Sequence, residues 1–267
     1  MKTSTGLTVI SLAAMGGALA ATSRLATRPR EIMNGLPDYE TLATALRSVV
    51  RAGDPKVNGG LAFNMWAVLV SRDGLVHAVT FSGHHFGDQW PGSRIIAAQK
   101  ANTANAFSLA DFALSTANLY AGTQPGGFLY GIQSSNPMNP AVAYAGTASD
   151  FGQANDPMVG KPIGGICVFG GGLALYNERG DIVGGLGVSG DTSCADHNIA
   201  WKLRHELGLD YVPAGVNKNS MSPKGDDNII YDVKNDKSTS GYGHADCGAG
   251  EKAIAEGFKT TCPVRMR

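Results

Sequence analysis

The sequence predicts an α/β (α+β) chain of antiparallel strands and helices, and three observations carry that prediction. Two pairs of apolar runs are each joined by a short Gly-containing turn, the pattern of a β-hairpin. Three other segments repeat apolar or small residues at helical spacing. Nine of the 36 glycines fall in the second pair of runs, where each would weaken an ordinary strand unless something packs closely against it. With 267 residues, 43% of them hydrophobic and 16% charged, the chain folds around one substantial core or two small ones.

Taken in order, residues 1–20 read as a secretory signal: Lys2 as a short basic start, LTVISLAAMGGALA as the apolar stretch, and Ala18-Leu19-Ala20 as the cleavage site. A buried first helix or an uncleaved anchor is the alternative. Residues 21–36 form a leader without a clear period. Asp38 then caps a helix to about Arg51, with Leu42, Leu46, Val49 and Val50 on its inner side. LAFNMWAVLV and LVHAVTFSG flank a turn at Ser71–Gly74 as the first hairpin. GHHFGDQWPG follows as a loop, and SRIIAAQKANTANAF forms the next helix, capped by Ser93. Its Ala97, Ala101, Ala104 and Ser108 make a small-residue seam for a strand face, another helix or a flat ligand. SLADFALSTANLY reads as a further helix or a kinked continuation. From 121 to 162 the chain is a Gly/Pro/Asn-rich excursion, long for a structureless loop and so functional or oligomer-covering. IGGICVFGGGLALYN, the turn ERGD and IVGGLGVSG make the second hairpin. A helix over 193–207 starts with a box-like Ser193-x-x-Asp196 and carries His197, Trp201 and His205 on one face, a spacing that favours packing over metal binding. The polar segment 214–267 reads as an appendage attached by a disulfide, with DNIIYDV as a strand-like island and EKAIAEGF as a short helix.

Composition bounds the function. With 22 Lys/Arg against 22 Asp/Glu there is no electrostatic footprint for nucleic acid. No later segment supplies an uninterrupted apolar run long enough to span a membrane. The expected location is periplasmic or secreted, which permits disulfides among Cys167, Cys194, Cys247 and Cys262. Cys194 pairs with Cys247 or Cys262 in this reading, whereas Cys167 sits in an apolar run and is equally a buried free thiol. The spacings match no CxxC zinc pair, and the absence of CxxCH excludes covalent c-type haem attachment.

One further pattern stands out. Gly180, Val183, Gly184, Gly187, Val188, Ser189 and Gly190 form G-x-x-V-G-x-x-G-V-S-G, followed by Thr192 and Asp196. Ser93, Ala97 and Lys100 add a small-and-basic helix pattern. On these residues the stretch from Tyr39 to Leu207 resembles the GlcG/HbpS-like haem-binding proteins, a family related to the C-terminal domains of certain cobalamin adenosyltransferases. The resemblance implies a single α/β domain over 37–213, a mainly antiparallel sheet with helices packed on it, a homo-oligomer, and non-covalent binding of haem or a related tetrapyrrole for storage, transport or sensing. The 121–162 insert and the 214–267 extension depart from the family pattern, as does Ala195 ahead of the motif aspartate.

His84 and His85 are the first candidates for iron, His85 slightly preferred, because neutral imidazole suits that metal. An exposed polar loop is the plainer account of both. His77, Tyr176, Met138 and Met158 are weaker candidates. Ser93, Arg94 and Lys100 are candidates for haem propionates, while Gly187, Gly190 and Thr192 shape the strand-to-helix corner and Asp196 caps the helix or orients a ligand. No catalytic residue is assigned: Ser189 stands outside G-x-S-x-G, and neither HExxH nor GxxxxGK[ST] occurs. The alternatives are a haem-free assembly or partner-binding protein and an enzyme for a small molecule.

Overall fold

The computed structural model describes residues 35–266; the expected signal segment and most of the leader lie outside them. Asp38 accepts the Thr41 N–H at 2.9 Å and so starts α1 (Tyr39–Val49), whose Leu42 and Leu46 are fully buried. Asp54 caps the single turn α2 (Pro55–Asn58) in the same way. The first hairpin is β1 (Trp66–Ser71) with β2 (Val76–Phe81), and the second is β3 (Gly172–Tyr176) with β4 (Ile182–Ser189). β1 pairs antiparallel with β4 from Trp66↔Ser189 to Ser71↔Gly184, so the hairpins join into one four-stranded antiparallel sheet of order β2-β1-β4-β3.

The strand period of two sorts the side chains of the central strands onto opposite faces. Ala67 and Leu69 of β1, with Leu186 and Val188 of β4, enter a core shared with α1 and with α7 (Ser193–Glu206). Trp66, Val68 and Val70 enter a second core under α3 (Ser93–Ala106). On that side β4 offers Gly185 and Gly187. A Cβ on Gly187 would stand 1.8 Å from the Ala97 carbonyl oxygen, and one on Gly185 2.2 Å from that of Ala101. The strand glycines and the Ala97/Ala101 seam are therefore two halves of one contact, through which α3 lies directly on the sheet.

Several local expectations change. Ser93 is the first residue of α3 and buried, not its cap; Gly92 takes the cap position without a side-chain bond. The segment after α3 does not continue as a helix. Ser108 Oγ both accepts from Leu114 N–H and donates to its carbonyl, Leu109 and Phe112 bridge across a turn, and Ser115 caps a 3-10 turn at Thr116–Leu119. Local side-chain bonds of this kind compete with helix propagation. The insert contains only the single turns α4 (Tyr120–Thr123), α5 (Ile132–Ser135) and α6 (Pro140–Ala143), yet Val142, Ala143 and Met158 belong to the core under α3.

Beyond Pro213 the strand-like island DNIIYDV is without strand pairing except at Val233, which opens the two-residue pair β5 (Val233–Lys234) and β6 (Lys237–Ser238). The extension is more than a tethered appendage. Ile229, and Ala255 and Phe258 of α8 (Glu251–Thr261), sit in the core shared with α7, and Trp201 Nε1 donates to the Cys262 carbonyl at 2.8 Å. Among the described residues no helix is long and apolar enough to cross a membrane.

Candidate functional site

At one end of the sheet β1 begins, β2 and β4 finish, and the motif corner turns into α7. Thr192 is the helix cap here, accepting from Ala195 N–H at 3.2 Å, which frees Asp196 from the capping role expected for it. Asp196 instead accepts backbone N–H groups of Gly190 (3.1 Å) and Asp191 (2.9 Å) and pairs with Lys100 Nζ at 2.6 Å. Burial pushes the Asp196 carboxyl up to about 6, against the pull of Lys100 and the hydrogen bonds. Lys100 is fully buried and also donates to Val188 O, with Ser189 Oγ at 3.5 Å. The pair ties α3, β4 and α7 together under the corner. Neither charge reaches water. Arg94 is likewise enclosed: it donates through Nε and Nη2 to the Asp156 carboxylate and through Nη1 to Ala143 O, and it lies over the Phe151 ring. Its work is to pin the insert onto α3.

His84 and His85 stand at the same sheet end, exposed, in the loop leaving β2. Asp88 accepts both of their backbone N–H groups, and His85 Nδ1 accepts from Gly87 N–H at 3.2 Å. That bond fixes the proton of a neutral His85 ring on Nε2, whereas among the described residues no hydrogen bond engages the His84 ring. An apolar shelf accompanies them. Phe63 and Trp90 meet edge to face at 5.4 Å, and Leu61 and Phe63 are held by their N–H bonds to the Asp191 carboxylate. The other weak candidates are committed elsewhere: His77 Nε2 contacts Pro37 O, Tyr176 donates to Leu109 O, Met158 is buried and Met138 half-buried.

Of the cysteines, Cys194 is bonded to Cys247, while Cys167 and Cys262 are buried free thiols.

A further opening lies away from the motif. Between α1, α2, α7 and α8 runs a cleft of about 570 Å³, a size suited to a cofactor-scale ligand. Val49, Val57, Ile254 and Phe258 give it an apolar wall. Arg51, Lys202 and His205 stand in the same lining, and among the described residues no hydrogen bond engages the Arg51 side chain. Lys202 Nζ donates to Val57 O at 2.6 Å and Asn58 Oδ1 at 2.8 Å, leaving one of its three donors. Partial burial lowers its pKa. His205 Nδ1 lies 2.6 Å from Asp210 Oδ2, so Nδ1 carries the proton and Nε2 of the neutral ring keeps its lone pair. Sequence spacing placed His205 on the face of His197 and Trp201 without a role. Its signal was the acid five residues on, across the end of α7. The helix in EKAIAEGF was legible, but not its place along this cleft.

The family model described as haem degrading protein HbpS-like matches residues 38–203. The chain belongs to this family. The HbpS-like match covers the whole sheet with α1, α3 and most of α7, and leaves α8 outside it. Among solved structures the chain is similar to Klebsiella pneumoniae protein ORFY, at 20% identity over 63% of this chain and 86% of that one with a TM-score of 0.42. A PduOC:heme complex follows at 22% identity, covering 62% and 89% with a TM-score of 0.42. Ybr137w protein stands at 16% identity, covering 70% and 92% with a TM-score of 0.36. No curated protein matches.

Proposed function

We propose that this HbpS-like chain binds haem non-covalently in an exported compartment, in the cleft between α1, α7 and α8, with His205 as the iron ligand. Membership of a family described by haem motivates the ligand class. The observation that carries the reading is the His205–Asp210 bond, because a metal-binding imidazole characteristically donates its other nitrogen to a carboxylate or carbonyl. The donor set fits the group. An apolar wall suits the macrocycle, and Arg51 and the remaining Lys202 donor suit propionates. Iron in such a site would supply the redox and ligand-binding chemistry of haem. The residues of the chain hold the ring, orient the imidazole and fix its proton on Nδ1.

The motif corner supports this reading only at a distance. Gly185 and Gly187 accept α3, and Lys100 and Arg94 are paired with Asp196 and Asp156. His84, the uncommitted imidazole beside the Phe63–Trp90 shelf, is the competing ligand, with His85 next to it. A second reading is a partner-binding or homo-oligomeric protein; it rests on Phe128, Tyr130 and Tyr144 of the insert, exposed by 72%, 68% and 67%.

Titration with ferric haem, followed at the Soret band, separates these readings. The account expects saturable binding at one site per chain, lost in His205→Ala and retained in His84→Ala/His85→Ala. Loss in the double variant alone moves the site to the sheet end. No binding by folded wild type ends the haem reading, and a mass above one chain in light scattering then favours the second.

A further inference from the structure

Among the described residues, one cluster outside the cleft gathers three metal donors. Cys194 Sγ, Cys247 Sγ and a ring nitrogen of His244 all lie within 4.8 Å of one another. Cys194 and His244 are buried and Cys247 half-buried, so the cluster has one open side. We propose that reduction of the Cys194–Cys247 bridge converts this cluster into a binding site for a thiophilic divalent cation of the Zn²⁺ class, held by two thiolates and His244.

The geometry supplies the argument. Tetrahedral Zn²⁺ takes sulfur at about 2.3 Å and nitrogen at about 2.0–2.1 Å, which places such donors roughly 3.5–4 Å from one another. Cys194 Sγ is 3.9 Å from His244 Nδ1 already. Once the covalent bond is gone, the two sulfurs separate to about that distance without moving the backbone far. Cys194 occupies the first turn of α7, where the helix dipole favours its thiolate. In the bridged state Nδ1 donates to Ala245 O at 2.7 Å. Ligation through Nδ1 moves that proton to Nε2, where Ser193 Oγ stands 3.3 Å away to accept it and the long Gly170 N–H bond to Nε2, 3.5 Å in the bridged state, gives way. Ser193 thus plays the part of the outer partner that fixes a metal-bound imidazole. Three protein ligands leave the fourth position to water on the open side.

The step balances with a dithiol reductant. Its two thiols transfer two electrons and two protons to the bridge, giving Cys194–SH and Cys247–SH and a new disulfide in the reductant. The cation then displaces both thiol protons. In the oxidised protein neither sulfur is a thiolate, and the site is closed.

The test uses Co²⁺, whose thiolate charge-transfer band in the near ultraviolet reports sulfur ligation. The full chain, reduced by a dithiol that is then removed anaerobically, is expected to bind one Co²⁺ with that band, displaced by Zn²⁺. The oxidised chain is expected to show none. Cys247→Ser abolishes the band, His244→Ala weakens binding by roughly 10–100-fold, the loss common at sites of this kind, and Cys167→Ala leaves it unchanged. No band in reduced protein whose near-ultraviolet circular dichroism is native overturns the proposal, as does unaltered affinity in His244→Ala. Loss of the native spectrum on reduction overturns it equally, because the site requires the fold.

Discussion

Asp210 Oδ2 holds His205 Nδ1 at 2.6 Å, while its other oxygen accepts from Arg265 Nη1 of the C-terminal tail. One carboxylate therefore sets the imidazole that closes α7 and anchors the segment leaving α8. If that imidazole binds iron, removing the carboxylate frees the ring without removing the ligand. Asp210→Ala is expected to weaken haem about 10–100-fold, short of the loss in His205→Ala. Titrations of both variants check the order.

Gly187 faces the Ala97 carbonyl oxygen so closely that no side chain fits between them. Gly187→Ala is expected to lift α3 from the sheet and cost about 1–3 kcal/mol, the usual range for overpacking. Urea denaturation measures this, with the fall in midpoint as the readout.

Lys100 and Asp196 form a buried pair at 2.6 Å. Lys100→Met strands a carboxylate under the corner and is expected to cost about 3–5 kcal/mol. Lys100→Met with Asp196→Leu removes both charges and is expected to recover much of that loss. A double-mutant cycle from equilibrium unfolding gives the coupling.

Burial pushes His197 down to about 3, while an unfolded chain takes up that proton near pH 6.5. Between those values the unfolded state binds more protons, so the His197 contribution is complete above about pH 6.5 and falls by about 1.4 kcal/mol per unit as the pH drops towards 3. Asp196, raised to about 6, acts with the opposite sign, since the folded state holds its proton more tightly below that pH. The comparison of interest is therefore wild type against His197→Gln. The variant is expected to lose stability less steeply between pH 6 and 4, by about one proton, measured by denaturation at each pH.

Both hairpins, α1, α3 and α7 were legible in the sequence because each follows from local period and turn chemistry: Asp38 before Leu42 and Leu46, or Gly74 between two apolar runs. The glycines of β4 announced a close approach, though nothing local identified α3 as the partner. The charge pairs were not legible. Arg94 finds Asp156 at a separation of 62 residues and Lys100 finds Asp196 at 96, so both cations read from sequence as groups free for a ligand. The Ser193-x-x-Asp196 box shifted by one residue because Asp196 is drawn to Lys100 and the corner N–H groups, leaving Thr192 to cap. Ser108 and Ser115 redirected the chain after α3 by bonding to the backbone of Leu114 and Asn118, against apolar spacing that suggested a helix. The His205–Asp210 pair was local enough to notice, but its meaning depends on α8, which only the folded extension brings alongside.

Exchange of the proposed ligand tests the account most directly. His205→Gly removes the imidazole and leaves a gap in the cleft wall that free imidazole can enter. With ferric haem added, the account predicts that His205→Gly lacks the wild-type Soret spectrum until imidazole is supplied and then regains it, while His84→Ala/His85→Ala keeps the wild-type spectrum throughout. A His205→Gly spectrum identical to wild type before any imidazole is added would contradict it.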